Sequence, residues 1–196
     1  MDEKQSSAKR LIYLTGFMGS GKSTIGPILA NTLGYKFIDL DRQIEQETGK
    51  SVTSIFKEDG EDAFRAVERS ILERVSGMDQ IVVSLGGGTV AHEENFKLIR
   101  SGGVIVYLQL SPEEAVRRMR HKTDRPMLKD KDGNPLPEQI LEQRIRELLG
   151  AREGFYKRAD IIVPTESKKI DLKWAVENII SKLDQNSGTK NHAEQS

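Results

Sequence analysis

The stretch Gly16-Phe17-Met18-Gly19-Ser20-Gly21-Lys22-Ser23-Thr24 decides the fold, because it fits G-x-x-x-x-G-K-[ST], the pattern of a phosphate-binding loop. A short apolar run precedes the loop at residues 11–14 and is typical of a buried strand. Apolar side chains at helical spacing follow at residues 25–33 and stop before Gly34, which predicts a helix. The loop therefore lies between a strand and a helix, which is the context that the motif requires.

The residue types of this loop predict how it binds an anion. Its glycines let successive backbone N–H groups turn inward around phosphate oxygens, and the following helix points its free N–H groups at the same anion. Lys22 is long enough to reach the outer phosphates of a nucleotide, and the Ser23 hydroxyl is placed to ligate Mg²⁺.

Composition excludes several classes of protein. The chain has 196 residues, with 30 Lys and Arg balancing 30 Asp and Glu, which argues against a general polyanion binder such as a chromatin protein. It has no cysteine, so disulfides and thiolate metal sites are excluded. Residues 1–10 are polar without the apolar core of a secretory signal, and the longest apolar runs are too short to span a bilayer. We therefore expect a cytoplasmic protein with no nucleic-acid or membrane partner.

Strands and helices alternate along the chain. The apolar pattern predicts strands at 11–14, 35–38, 81–85, 104–108 and 161–163. It predicts helices at 25–33, 42–48, 51–58, 61–76, 92–101, from 112, 138–158 with breaks at Gly150 and Gly154, and 170–183. This order favours an α/β fold, a parallel sheet covered on both faces, as one domain over 11–183. We expect a disordered arm at 1–10, a basic mobile flap at about 119–135 and a disordered tail at 184–196.

Two acids follow the second predicted strand, at the sheet edge where open α/β sheets bind ligands. The third predicted strand ends in glycines and the fourth in Gln109, so neither ends in an acid that could help to hold Mg²⁺. Asp39 is therefore the candidate for that acid. If the strand continued, the Asp41 side chain would point away from that of Asp39. Asp41 could then face a phosphoryl acceptor and not the metal. The alternative for Asp41 is a helix N-cap, and the two roles are compatible.

Three further features each allow a functional and a structural interpretation. Gly86-Gly87-Gly88 permits close approach to a small ligand, or forms a tight turn. Arg65 lies one helical turn from Glu68. It either binds a ligand or forms a surface ion pair with Glu68. Arg125 belongs to a flap that closes over a transferring phosphoryl group, or to a solvated loop.

These features together resemble those of the shikimate kinase family over about residues 10–183. The resemblance rests on the loop at 16–24, Asp39-Leu40-Asp41, Phe64-Arg65 with Glu68, the triple glycine and Arg125-Pro126. It implies a three-layer fold of the nucleoside-monophosphate-kinase-like type with a lid, and a five-stranded parallel sheet of order 2-3-1-4-5. It also implies that ATP phosphorylates the 3-hydroxyl of shikimate, on the route to chorismate and the aromatic amino acids.

The resemblance assigns roles residue by residue. Lys22, Asp41 and Arg125 fall on catalytic positions, and Ser23 and Asp39 on the Mg²⁺ positions. The ATP positions are Gly19, Ser20, Gly21, Lys22, Ser23, Thr24, Arg118 and Arg125. The shikimate positions are Asp41, Arg65, Gly86, Gly87, Gly88 and Arg152.

The chain departs from the family pattern in two places. The lid is extended by residues 129–137, and the loop at 165–170 lacks the proline expected against adenine.

Two alternative functions stay open. One is a kinase of another small polyol, such as gluconate, and the other is a nucleotide-binding module without transfer activity. We expect a monomer.

Overall fold

The structure is a computed structural model that describes residues 11–120, 128, 130, 134, 136–166 and 171–193, with the backbone alone beyond residue 186. The strands are β1 Leu11–Thr15, β2 Lys36–Asp39, β3 Ile81–Ser84, β4 Val104–Gln109 and β5 Ile161–Pro164. The helices are α1 Lys22–Leu33, α2 Leu40–Thr48, α3 Val52–Glu58, α4 Gly60–Ser76, α5 Glu93–Gly102, α6 Pro112–Met119, α7 Glu138–Tyr156 and α8 Leu172–Ala193. A 3₁₀ turn covers Thr89–Ala91.

The five strands form one parallel sheet of order β2-β3-β1-β4-β5, which confirms the predicted fold. In register, Leu14 of β1 lies beside Ser84 of β3, and Ser84 lies beside Asp39 of β2. Since all strands run in the same direction, the phosphate loop, Asp39 and the triple glycine leave the sheet at one edge. The site is therefore assembled at the carboxyl ends of β1, β2 and β3.

Alternate residues of each central strand face two different cores. Ile12 and Leu14 belong to a core shared with α1 and α8, whereas Leu11 and Tyr13 belong to a core shared with α2–α7. Every residue of β1 is buried, as expected for a strand covered by helices on both faces. This packing holds the edge that carries the site.

Two helices continue through stretches where the sequence predicted breaks or disorder. Helix α7 is continuous through Gly150 and Gly154, because it buries Leu141, Ile145, Leu148, Leu149, Arg152 and Tyr156 along one side. That burial outweighs the cost of about 1 kcal/mol for a glycine inside a helix. Helix α8 continues to Ala193, past its predicted end at Leu183 and into a stretch predicted to be disordered. Extending a helix already nucleated by packing adds one backbone hydrogen bond per residue.

Several predicted segments lie outside the described residues. They are the arm at 1–10, most of the flap at 119–135 and the last three residues of the tail. None of the helices in the described part of the chain has both the length and the apolar character needed to cross a membrane.

Candidate active site

The phosphate loop has the backbone geometry that its glycines predicted. Gly16, Gly19 and Gly21 have φ of 142°, 81° and 101°, in the region that glycine enters without strain. A Cβ added to Gly16 would lie 2.6 Å from the carbonyl oxygen of Leu108, so no larger residue fits between the loop and β4. Helix α1 begins at Lys22, directly after the loop, which aims its free N–H groups at the loop interior.

Lys22 lies inside the loop rather than on its surface. Its Nζ donates to the carbonyl oxygens of Gly16, at 2.7 Å, and of Phe17, at 3.1 Å. The side chain is buried, so its ammonium group is held where the loop would enclose a phosphate. The structure thus brings a positive charge and the loop backbone together, as the motif predicted.

Ser23 and Asp39 meet across the junction of α1 and β2. The Ser23 hydroxyl donates to Asp39 Oδ2 at 3.1 Å, and Asp39 Oδ1 accepts from the backbone N–H of Arg42 at 3.3 Å. Asp39, and not Asp41, is therefore the N-cap of α2, because β2 passes into the helix without a loop. A hydroxyl and a carboxylate side by side are hard oxygen donors of the kind that Mg²⁺ takes.

No cluster of three or more acidic or histidine side chains able to hold a metal occurs in the described part of the chain.

Asp41 lies in the first turn of α2 and faces the triple glycine. A Cβ added to Gly86 would come within 2.9 Å of Asp41 Oδ1 and within 3.0 Å of the Thr89 hydroxyl. The absence of a side chain at Gly86 therefore makes room for the Asp41 carboxylate. The interpretation of Asp41 as a helix cap is wrong, and its carboxylate lies beside the triple glycine.

Arg65 and Arg152 converge on Gly88, although they come from α4 and α7. A Cβ at Gly88 would lie 3.2 Å from Arg65 Nη2 and 3.6 Å from Arg152 Nη2. Arg152 is buried, and its Nη1 would lie 3.5 Å from a Cβ at Gly87. Two planar guanidinium groups at one glycine form a site suited to a carboxylate.

Glu68 is the carboxylate that orients Arg65, and its burial exceeds what the sequence predicted. Its side chain is 1% exposed and accepts from Arg65 Nη1 at 2.8 Å, so the pair is not a surface ion pair. It also accepts from the Thr89 hydroxyl at 2.6 Å and from Asn95 Nδ2 at 3.4 Å. The sequence interpretation missed Thr89 and Asn95, because nothing local marks them as partners of a residue on α4.

Arg118 connects the phosphate loop with the segment after β5. Its guanidinium donates to the carbonyl oxygen of Gly19 at 2.8 Å, to the carbonyl oxygen of Thr165 and to Glu114 Oε1 at 2.7 Å. The guanidinium groups of Arg117 and Arg118 lower the pKa of Glu114 from 4.5 to about 2. Glu114, which the sequence interpretation missed, thus fixes Arg118 against the phosphate loop.

One predicted site residue lies outside the described part of the chain, and one cavity lies apart from the site. Arg125 falls outside the described residues, so the structure does not place it. A cavity of about 390 Å³ is lined by residues of β4, α7 and the segment after β5, and none of the predicted site residues lines it.

The chain is similar to known proteins over most of its length. The sequence model of the family described as shikimate kinase matches residues 18–184. A shikimate kinase of Chlorobaculum tepidum is 53% identical over 174 residues, which cover 89% of this chain and 90% of the relative.

Solved structures resemble the fold as well. A shikimate kinase from Acinetobacter baumannii in complex with shikimate superposes with a TM-score of 0.80 at 30% identity, covering 91% of this chain and 94% of that one. A gluconokinase from Sinorhizobium meliloti reaches a TM-score of 0.56 at 23% identity, covering 96% and 98%, which is a likeness of fold alone. The family match, the identity and the geometry of the site agree, and the chain belongs to the shikimate kinase family.

Proposed function

We propose that the protein transfers the γ-phosphoryl group of ATP to the 3-hydroxyl of shikimate. The observation that carries this proposal is the convergence of Arg65 and Arg152 on Gly88, beside the carboxylate of Asp41. A carboxylate-binding pair next to a general base suits an acceptor that has both a carboxylate and a reactive hydroxyl. The phosphate loop at the same sheet edge provides the donor side.

The acceptor binds with its carboxylate against the two arginines. Arg65 already pairs with the carboxylate of Glu61 at 3.0 Å, and the Glu61 side chain is 60% exposed. An exposed ion pair contributes only about 0–1 kcal/mol, so a substrate carboxylate displaces it readily. Glu68 keeps its own hydrogen bond to Arg65, which holds the guanidinium in place during the exchange.

The residues of the site then have distinct tasks in the transfer. Asp41 orients the acceptor hydroxyl and takes its proton as the oxygen attacks the γ-phosphorus. A new O–P bond forms, the bond from the γ-phosphorus to the bridging oxygen breaks, and ADP leaves with that electron pair. Lys22 and Arg125 neutralise the charge that spreads over the phosphoryl oxygens, and Arg118 lies against the adenine.

Magnesium is the divalent ion that this site fits. Ser23 and Asp39 would hold it, the acid through water, and the ion would neutralise phosphate charge. Gly19, Ser20, Gly21 and Thr24 bind the ATP phosphates through the loop backbone and the start of α1. The proposal includes a monomeric enzyme working in the cytoplasm.

The alternatives explain less of the site. A gluconate kinase also needs a base and a phosphate loop, but the likeness to a gluconokinase extends to the fold alone. A binding module without transfer activity has no use for a carboxylate like that of Asp41 placed beside the acceptor glycines. Parallel turnover assays with ATP and shikimate, gluconate or nucleoside monophosphates distinguish the three.

The sharper experiment compares shikimate with its methyl ester. A charge-assisted hydrogen bond contributes about 1.5–3 kcal/mol, so the ester should lower kcat/KM by at least about tenfold, or roughly 1.4 kcal/mol. Arg65→Ala and Arg152→Ala should each lower kcat/KM for shikimate and reduce the penalty of the ester. Arg69→Ala is the matched control, since Arg69 lies on the same helix but pairs with Glu73 and Glu94.

If the ester is phosphorylated with the same kcat/KM as the free acid, the carboxylate site is refuted. An ester penalty of the same size in both arginine variants would refute it too, and acceptor selection would then rest on the hydroxyl groups.

A further inference from the structure

Tyr156 contacts the triple glycine from the last turn of α7, and the predicted roles do not include it. Its ring is fully buried at the end of α7, and its hydroxyl donates to the carbonyl oxygen of Gly87. The ring stacks on Tyr107 of β4, with centroids 5.0 Å apart and planes 23° apart. A buried tyrosine hydroxyl needs a hydrogen-bond partner, and here the partner is the central glycine of the site.

Arg152 lies one helical turn before Tyr156 on α7. Residues four apart lie on the same side of a helix, so both side chains face the triple glycine. Arg152 Nη1 would lie 3.5 Å from a Cβ at Gly87, the glycine whose carbonyl oxygen accepts from the Tyr156 hydroxyl. The hydroxyl therefore holds the backbone that Arg152 approaches.

Burial keeps the Tyr156 hydroxyl protonated. Burial raises the pKa of Tyr156 far above neutral pH, despite the positive charge of Arg152, which lowers it. The hydroxyl thus stays protonated and remains a donor to the glycine carbonyl throughout the working range of pH.

We propose that Tyr156 is a positioning residue for the acceptor, which aligns Arg152 with the backbone of the triple glycine. This inference rests on the proposed acceptor site. Without the hydroxyl, the Gly87 carbonyl loses a fixed partner, and the triple glycine samples other orientations relative to the Arg152 guanidinium. Binding of the acceptor should suffer, while the nucleotide, bound at the phosphate loop, should be unaffected.

The test is Tyr156→Phe, which keeps the ring and removes one oxygen. The matched control is Tyr107→Phe, because Tyr107 is the stacked partner of Tyr156 and lies on β4, which carries none of the predicted site residues. Loss of one hydrogen bond should raise the KM for shikimate by about three- to tenfold in Tyr156→Phe and leave the KM for ATP within about twofold. Tyr107→Phe should leave both KM values within about twofold.

Two further variants separate a failure of this inference from a failure of the proposed function. Arg152→Ala should raise the KM for shikimate, and adding Tyr156→Phe to it should then have little effect. If Arg152→Ala changes nothing, or the wild type does not turn shikimate over, the acceptor site itself is wrong.

If Arg152→Ala raises the KM for shikimate and Tyr156→Phe does not, only the positioning role is overturned. Equal changes in both KM values, or the same change in Tyr107→Phe, would show a general packing effect and overturn it as well. Kinetic constants are measured on protein whose thermal unfolding midpoint has been recorded for each variant.

Discussion

Gly86→Ala should slow the enzyme by moving the Asp41 carboxylate. The φ of Gly86 lies outside the left-handed region, so alanine is compatible with the backbone, and the effect comes from the added methyl group. That methyl would lie 2.9 Å from Asp41 Oδ1 and 3.0 Å from the Thr89 hydroxyl, where ordinary contact begins at 3.4 Å. The carboxylate must therefore retreat by about 0.5 Å, the difference between 3.4 and 2.9 Å.

The magnitude follows from this displacement. A misplacement of about 1 Å can cost about 10²-fold in rate, so a shift of half that size should lower kcat by at least about tenfold. Crowding of a packed site should also lower the free energy of unfolding by about 1–3 kcal/mol. Steady-state kinetics with saturating ATP measure the first effect, and urea unfolding measures the second.

Gly77→Ala is the matched control for this substitution. Gly77 follows α4 ahead of β3, at the opposite edge of the sheet from the site, and its nearest non-neighbouring atom would lie 3.5 Å from the new Cβ. We expect its kcat to remain within about twofold of the wild type, since surface changes away from the site are usually small.

A double-variant cycle shows whether the methyl group acts through Asp41. Asp41→Asn alone should lower kcat by about 10²–10⁴-fold, because a general base is lost. In the Asp41→Asn background, Gly86→Ala should cost much less than tenfold, as residues acting as a unit are not additive. A full tenfold loss in that background, or a kcat near wild type in Gly86→Ala alone, would refute the reasoning.

Two other predictions concern the phosphate loop and the support of Arg118. Lys22→Met should lower kcat by at least about 10²-fold with an unchanged circular dichroism spectrum, and a loss of only a few-fold would contradict the role in charge neutralisation. Glu114 has a lowered folded-state pKa, so it stabilises the protein above pH 4.5 and this contribution disappears as the pH falls toward 2. Urea unfolding should therefore show a gap between wild type and Glu114→Gln that shrinks over this interval, and a gap independent of pH would count against the ion pair.

Local patterns predicted the elements of the fold well, and failed where packing overrules them. The alternation of apolar runs and helical spacing placed all five strands within about two residues, because a covered parallel sheet needs such runs. The breaks predicted at Gly150 and Gly154 do not occur, since the glycine penalty is smaller than the burial of the rest of α7. Neighbouring elements decide that balance, and they are distant in the sequence.

The residues of the site also fall into two groups, one predictable from the local sequence and one brought together by packing. The sequence by itself determined the phosphate loop, because its backbone geometry depends on glycines at fixed spacing within one short segment. Only the tertiary structure decided that Asp39 caps α2 while Asp41 faces Gly86, since that depends on where the strand ends. Only it brought Arg65, Arg152 and Tyr156 to the triple glycine, because contacts between α4, α7 and the β3 edge arise from packing against a shared core and not from spacing along the chain.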